Sequence, residues 1–338
     1  MDLLSAIPRQ IASQPVPAGQ QRSGLWAIRR ELAMAAWTRA FLLKARAKLN
    51  LTLSLGSVQA NGLHEISSFV AALTLADDLW FEPHAGAFTV VCEGIDLPER
   101  ENLAFRAAEA IRRAFDVDTR GVLIRIEKRI PTEAGLGGGS ADAAAALTGL
   151  ATIARERGAG TLADSELCRI AAMLGSDVPV CLLPGFKRIA GTGEIVRREA
   201  LVSPPWGVGL LKPAMGLASA VAYGLFDEGD LARERSSKPF DARDDADQMA
   251  ASICSDSYTD FCRLLHNDFD PVVSRALPEV ARTHDRLRRA GATATLLCGS
   301  GTTVAGFFPT VTDAETAIAS IALDAGEWSA ATGFADGE

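Results

Sequence analysis

The 338-residue sequence predicts a protein of mixed strands and helices in two domains, and three observations carry that expectation. The length suits about two domains. Apolar residues switch between alternation, the period of a half-buried strand, and spacings of three and four, the period of an amphipathic helix. Where one such switch occurs, between a strand pattern ending near Ile130 and a helix pattern beginning near Ser140, stand Gly135, Gly137, Gly138 and Gly139.

Residues 1–40 open with a Pro- and Gln-rich stretch expected to be flexible, followed by LWAIRRELAMAAW, which reads as a short amphipathic helix. From Arg46 to Leu55 the alternation is complete: Ala47, Leu49, Leu51, Leu53 and Leu55 point one way and Arg46, Lys48, Asn50, Thr52 and Ser54 the other. Lys48 and Asn50 therefore share a polar strand face, roughly 7 Å apart. Such a face is either solvated or part of a site. A second strand follows from Val122, Ile124, Ile126 and Ile130 alternating with Arg125, Glu127 and Arg129. After the glycines, Ser140 is a good N-cap, Asp142 falls in the first turn, and Ala143, Ala144, Leu147, Leu150, Ala151 and Ala154 recur at helical spacing.

A later helix pattern stops at Gly175, and Asp177 stands in the junction before an apolar run. It is either a turn-stabilising carboxylate or a base for a hydroxyl. Ser203-Pro204-Pro205 marks a domain boundary, dividing 41–202 from 203–338. The polar stretch Glu228 to Asp256 reads as a long loop or a helix-bearing insertion. Near the C-terminus, Gly299, Ser300 and Gly301 join two β-prone runs, as a tight hairpin or a close approach to a ligand. Thr312 and Glu315 make a capping box for a helix running to about Asp324.

A strand, a glycine cluster and a helix N-terminus make an anion site, because unhindered backbone N–H groups and the helix dipole both favour negative charge. A Walker loop is excluded by the missing Lys after the glycines. A dinucleotide fingerprint is incomplete, since Gly135, Gly137 and Ser140 give only GxGxxS. Close packing of the helix on a sheet is the remaining structural explanation. A formal net charge of -8 argues against nucleic acid as a partner. The six cysteines, at 92, 168, 181, 254, 262 and 298, contain no CxxC and suggest reduced thiols. No apolar run long enough for a membrane span and no secretory leader pattern is evident, so the expected location is the cytoplasm.

Taken in order, ARAKLNLTL, NGLHEISSFVAAL with LADDLWFEP, PTEAGLGGGSADAA, LGSDVP with GTGE, LLKPAMGLASAVAYGLF, and LLCGSG resemble the GHMP superfamily of small-molecule kinases over about residues 44 to 310. The resemblance implies an α+β, two-domain GHMP kinase fold. Its N-terminal domain would be a mixed α/β nucleotide-binding unit with a left-handed βαβ crossover, against the usual hand, and its C-terminal domain ferredoxin-like. It also implies ATP and Mg²⁺ as cofactors, a monomer or homodimer, and phosphorylation of the 2-hydroxyl of a cytidine diphosphate-linked methylerythritol. Carried over residue by residue, Lys48 and Asp177 match the catalytic pair. Pro131, Thr132, Glu133, Ala134, Gly135, Leu136, Gly137, Gly138, Gly139, Ser140 and Ala141 match the loop around the ATP phosphates. Asn50, His64, Gly299, Ser300 and Gly301 match the substrate side, and Tyr223 could supply a ring there. No protein ligand set for a metal is implied. Leu63 departs from the family's aromatic before the His, Glu133 from a usual small residue, and Ala141 from a usual second Ser.

Overall fold

The structure, a computed structural model, describes residues 37–94, 98–115, 117–229 and 244–337. The expected N-terminal amphipathic helix, apart from Trp37, and residues 230–243 of the polar stretch lie outside the described residues. Trp37 itself is buried at the end of the segment expected to be flexible, edge-on to Phe41 and beneath the Arg157 guanidinium.

The alternating segment forms β1 (Phe41–Val58), which pairs antiparallel with β2 (His64–Pro83). Their register is irregular between Arg46 and Lys48 and again between Asn50 and Thr52. Bulges re-aim side chains locally, and these two bracket the Lys48–Asn50 segment. The chain continues through β3 (Thr89–Glu93), α1 (Leu103–Phe115) and β4 (Val122–Glu127), with β3 and β4 parallel neighbours. β4 ends three residues before Ile130, because Arg129 and Ile130 turn their amides onto Asp77. Then come α2 (Gly138–Glu156), α3 (Asp164–Leu174), α4 (Val178–Leu182), β5 (Phe186–Ala190) and β6 (Ile195–Glu199).

β7 (Gly207–Lys212) opens a second sheet, followed by α5 (Ser219–Asp227), α6 (Asp244–Cys254) and α7 (Tyr258–Leu264). The chain then returns to the first sheet as β8 (His266–Asn267), parallel to β1. It finishes with α8 (Asp270–Ala276), α9 (Pro278–Arg289), β9 (Ala294–Leu297), β10 (Val304–Phe308), α10 (Val311–Ser320) and β11 (Trp328–Gly333). The first sheet has seven strands, ordered β3-β4-β2-β1-β8 with β5 on β2 and β6 on β5. The second is antiparallel in the order β11-β7-β10-β9, which is the βαββαβ pattern of a ferredoxin-like domain. The cap of α10 lies two residues upstream of the expected box: Thr310 accepts from the Asp313 amide, and the helix stops at Ser320.

One core lies between the first sheet and α1 and α2, around Leu79, Phe81, Ile124, Ile126, Leu147 and Leu150. A second joins the sheets: Leu49, Leu51 and Phe69 from the first meet Val208, Leu210 and Phe307 from the second, with Leu136 among them. Beyond the exposed Arg46, the polar face of β1 is consequently not solvated. Lys48, Asn50, Thr52 and Ser54 are all buried.

Candidate active site

The glycine loop is built from its ends inward. Asp77, 0% exposed on β2, accepts the amides of Arg129 at 2.6 Å and Ile130 at 2.8 Å and the ammonium of Lys128. A buried carboxylate with three donors fixes where the chain leaves β4. Ala134 and Leu136 then turn their side chains into the core, and the Leu136 carbonyl accepts the Lys48 amide at 2.9 Å. Gly137, at φ 70°, is the N-cap of α2, so the cap lies three residues before Ser140 and Ser140 lies inside the first turn. Asp142 is correspondingly deeper than expected. It is buried against Lys128 Nζ at 2.7 Å, and burial pushes its carboxyl up to about 7. Two carboxylates thus share one ammonium.

Two glycines are required by contact as well as by φ. A Cβ on Gly137 would stand 2.9 Å from Lys48 Cγ, and one on Gly135, at φ 73°, would stand 1.8 Å from the Cys298 carbonyl oxygen. The loop therefore touches both β1 and the β9–β10 hairpin. Ala141 faces the core, and Pro131 is half-buried. Thr132 and Glu133 are exposed, with Glu133 at φ 50°. The Glu133 carboxylate reaches across to the second domain, where its Oε2 would stand 2.2 Å from a Cβ on Gly216. Lys212 feels its charge, although burial holds that ammonium below its usual range.

Lys48 Nζ lies 3.5 Å from Asp177 Oδ2 and donates to Asn50 Oδ1 at 2.8 Å. Asn50 donates in turn to Ser68 Oγ at 2.8 Å, and Ser68 donates to the Thr52 carbonyl. This chain fixes the ammonium. Asp177 occupies the N-cap position of α4 but its side chain caps nothing, and it is 42% exposed. The capping explanation fails, and the carboxylate is open to a reacting group.

Beyond this pair opens a cavity of about 640 Å³, lined by Lys48, Asn50, Asp177, His64, Tyr223, Gly299 and Ser300 among others. That is ample for a drug-sized ligand. His64 is held from both sides, its Nδ1 2.9 Å from the Gly56 carbonyl and its Nε2 2.9 Å from Asp227 Oδ1. The Tyr223 ring stacks on His64 at 5.5 Å and meets Phe269 edge-on at 4.9 Å. Burial and the Asp177 charge push its phenol up. Leu63 is 54% exposed on the cavity wall. The Gly299–Gly301 hairpin is pinned by Asn267, whose Nδ2 donates to the Leu297 and Gly299 carbonyls at 2.8 and 2.7 Å. Ser300 Oγ lies 2.9 Å from Ser219 Oγ.

Lys48, Asn50, His64, Asp177, Tyr223, Gly299 and Ser300 line one cavity, and Gly135 and Gly137 bring the loop against Cys298 and Lys48; Pro131, Thr132 and Glu133 do not line that cavity, and Ala134, Leu136 and Ala141 are buried anchors of the loop. Asp77, Lys128, Ser68, Asp227 and Asn267 had not been singled out. Only the paired acids of LADDLW offered a signal for the first of them.

Among the described residues no helix is long and apolar enough to cross a membrane, and all six cysteines are free. Residues 102–185 match the model of the GHMP kinases N terminal domain and 249–325 that of the GHMP kinases C terminal. A 4-diphosphocytidyl-2-C-methyl-D-erythritol kinase of Pelotomaculum thermopropionicum is 39% identical over 264 residues, covering 78% of this chain and 87% of the relative. One of Anaeromyxobacter dehalogenans is 40% identical, covering 78% and 80%. The solved 4-(cytidine 5'-diphospho)-2C-methyl-D-erythritol kinase superposes with a TM-score of 0.69 at 27% identity, over 87% of this chain and 99% of that one. The Cytophaga hutchinsonii homoserine kinase, at 14% identity and TM-score 0.64 over 88% and 95%, shares the fold.

Proposed function

The chain belongs to the GHMP kinases, ATP-dependent enzymes of small molecules, and from that premise we propose that it phosphorylates the 2-hydroxyl of 4-diphosphocytidyl-2-C-methyl-D-erythritol. The observation that carries the reading is the Lys48–Asp177 pair at 3.5 Å, set between the glycine loop and the cavity of His64 and Tyr223. Asp177 would accept the hydroxyl proton as the oxygen bonds to the γ-phosphorus of ATP and the bond from that phosphorus to the bridging oxygen breaks, releasing ADP. Lys48 offsets the charge on that oxygen and orients the carboxylate. Base help of this kind is worth about 10²- to 10⁴-fold, so positioning and electrostatics supply most of the acceleration.

The loop fits nucleotide phosphates because Gly137 and the glycines after it leave the α2 N-terminus without side chains in the way. ATP, bound at this loop, would supply the transferable group, and Mg²⁺ would offset the negative charge of its phosphates. Among the described residues no three His, Cys, Asp or Glu side chains gather as a preformed metal centre. Mg²⁺ takes water and phosphate oxygens readily, so the nucleotide itself would carry most of the coordination, with the Ser140 hydroxyl in the first turn of α2 as the protein oxygen suited to join it. The cytidine base would lie against Tyr223 and His64, the stacked pair that stands in for the aromatic absent at Leu63.

The test is turnover of a panel of alcohols, 4-diphosphocytidyl-2-C-methyl-D-erythritol, homoserine and mevalonate among them, with ATP and Mg²⁺, followed by phosphorus NMR of the products. Phosphorylation of the cytidine compound at its 2-hydroxyl is expected. Turnover of another alcohol with none of this one would reassign the substrate within the family.

A further inference from the structure

A second, smaller cavity of about 270 Å³ lies between β1, α2 and the α4–β5 connection, and of its lining the kinase reading uses only Lys48 and Ala141. Its walls include Lys44, Arg46, Lys48 and Lys187, with no carboxylate. Lys187 is 1% exposed. It sits mid-strand on β5, opposite Val70 on β2 and Arg198 on β6. Among the described residues it has neither a hydrogen-bond nor an ion-pair partner. An ammonium taken out of water with no partner is strongly disfavoured, so such a group either gives up its proton or holds a counter-ion.

The surroundings favour the counter-ion. Lys44 is already committed to Asp78, and Lys48 to Asn50 and Asp177. Arg46, exposed on the same wall, has no carboxylate partner among the described residues. One buried ammonium and one guanidinium are thus left unneutralised around a single space. A guanidinium fork matches oxyanions in two-point fashion better than it matches a spherical ion. Across from them, Ala141, Ala144 and Ala145 of α2 take up little volume, which keeps the space open.

We propose that this cavity binds a small phosphate-type oxyanion, gripped at depth by Lys187 and at the rim by Arg46. The site meets the glycine loop only at its last residue, Ala141, and shares only Lys48 with the large cavity. The charged and titratable groups facing Lys187 are Cys181 of α4, Arg198 of β6 and the three cations of β1. α2 offers alanines and Thr148, and β2 offers Ala72. Burial pushes the Cys181 thiol up to about 12, so it stays neutral, and pushes the Lys187 ammonium down to about 8. Oxyanion affinity should therefore fall as pH rises from 7 to 9.5, through loss of the Lys187 proton.

The probe is sodium sulfate, titrated calorimetrically into the full chain saturated with a non-hydrolysable ATP analogue, which removes the glycine loop as a competing anion site. Sulfate is expected to bind the wild type and to weaken at least about tenfold in Lys187→Met, the loss of one charged hydrogen bond. Lys187→Arg, which keeps the charge, should retain binding, and Arg46→Gln should weaken it. Absence of sulfate binding to the loaded wild type would overturn the proposal. So would equal affinity in Lys187→Met, or an affinity that does not change between pH 7 and 9.5, a measurement that needs no variant. None of these readouts depends on which alcohol the kinase phosphorylates.

Discussion

Replacing Gly135 by Ala tests whether the contact between the glycine loop and the β9–β10 hairpin sets catalytic geometry. Two costs separate cleanly. Gly135 sits at φ 73°, where an L-residue is strained by about 1–2 kcal/mol. The added Cβ would also lie 1.8 Å from the Cys298 carbonyl oxygen. Since side-chain carbons do not approach a heavy atom within 3.0 Å, loop and hairpin must part by at least 1.2 Å (3.0 − 1.8). A displacement near 1 Å of groups that position reactants costs on the order of 10²-fold in rate. Gly158→Ala is the control, because Gly158 has φ 77° and nothing within 4 Å of its would-be Cβ. Gly158→Ala should lose about 1–2 kcal/mol by urea unfolding and Gly135→Ala about 1–3 kcal/mol more for the clash, while only Gly135→Ala loses roughly 10²-fold in kcat/KM for ATP. A Gly135→Ala enzyme within threefold of wild type, or a Gly158→Ala enzyme equally impaired, would refute the reasoning.

Asp177→Asn should lower kcat by about 10²- to 10⁴-fold with ATP affinity retained, checked by steady-state kinetics beside nucleotide titration; an unchanged kcat removes Asp177 from proton transfer. Tyr223→Ala should raise KM for the cytidine substrate about 5- to 100-fold, the range of a lost base-stacking contact, and Leu63→Tyr should lower it. Equal KM values in all three proteins would place the base elsewhere. In buffer free of sulfate and phosphate, Lys187→Met should stabilise the protein at pH 7 by up to roughly 3 kcal/mol, because the ammonium, ordinarily at 10.5, is held near 8. The unfolded chain binds the extra proton between those values, so wild-type stability rises with pH across that window and the advantage of Met shrinks. Urea unfolding at pH 7 and 9.5 reads both; a wild type already as stable as Lys187→Met at pH 7 would contradict it.

Much of the site was legible because its signals are local. Gly135 and Gly137 announce a backbone at positive φ next to a helix, and both adopt it. The alternation from Arg46 to Leu55 put Lys48 and Asn50 side by side, and Lys48 does donate to Asn50. Helix starts were less exact. Ser140 and Thr312 have the right chemistry for a cap, yet Gly137 and Thr310 cap instead, since the actual first turn depends on where the preceding strand releases the chain.

What the sequence determined by itself was the order of strands, loops and helices, the glycine cluster that joins a strand to a helix N-terminus, and the family that those motifs share. The tertiary structure alone decided which distant groups meet. Asp77 reaches Lys128 and, through it, Asp142; His64 finds Asp227; Asn267 holds the Gly299 hairpin. It also turned Lys48, Asn50, Thr52 and Ser54 of β1 inward, and placed Lys48 in the walls of both cavities. The reason is physical: periodicity records which side of an element a residue occupies, whereas burial and charge pairing depend on what the rest of the chain lays against that side. Lys187 is the sharpest case, an ordinary strand lysine in sequence and a buried, unpartnered cation in the fold.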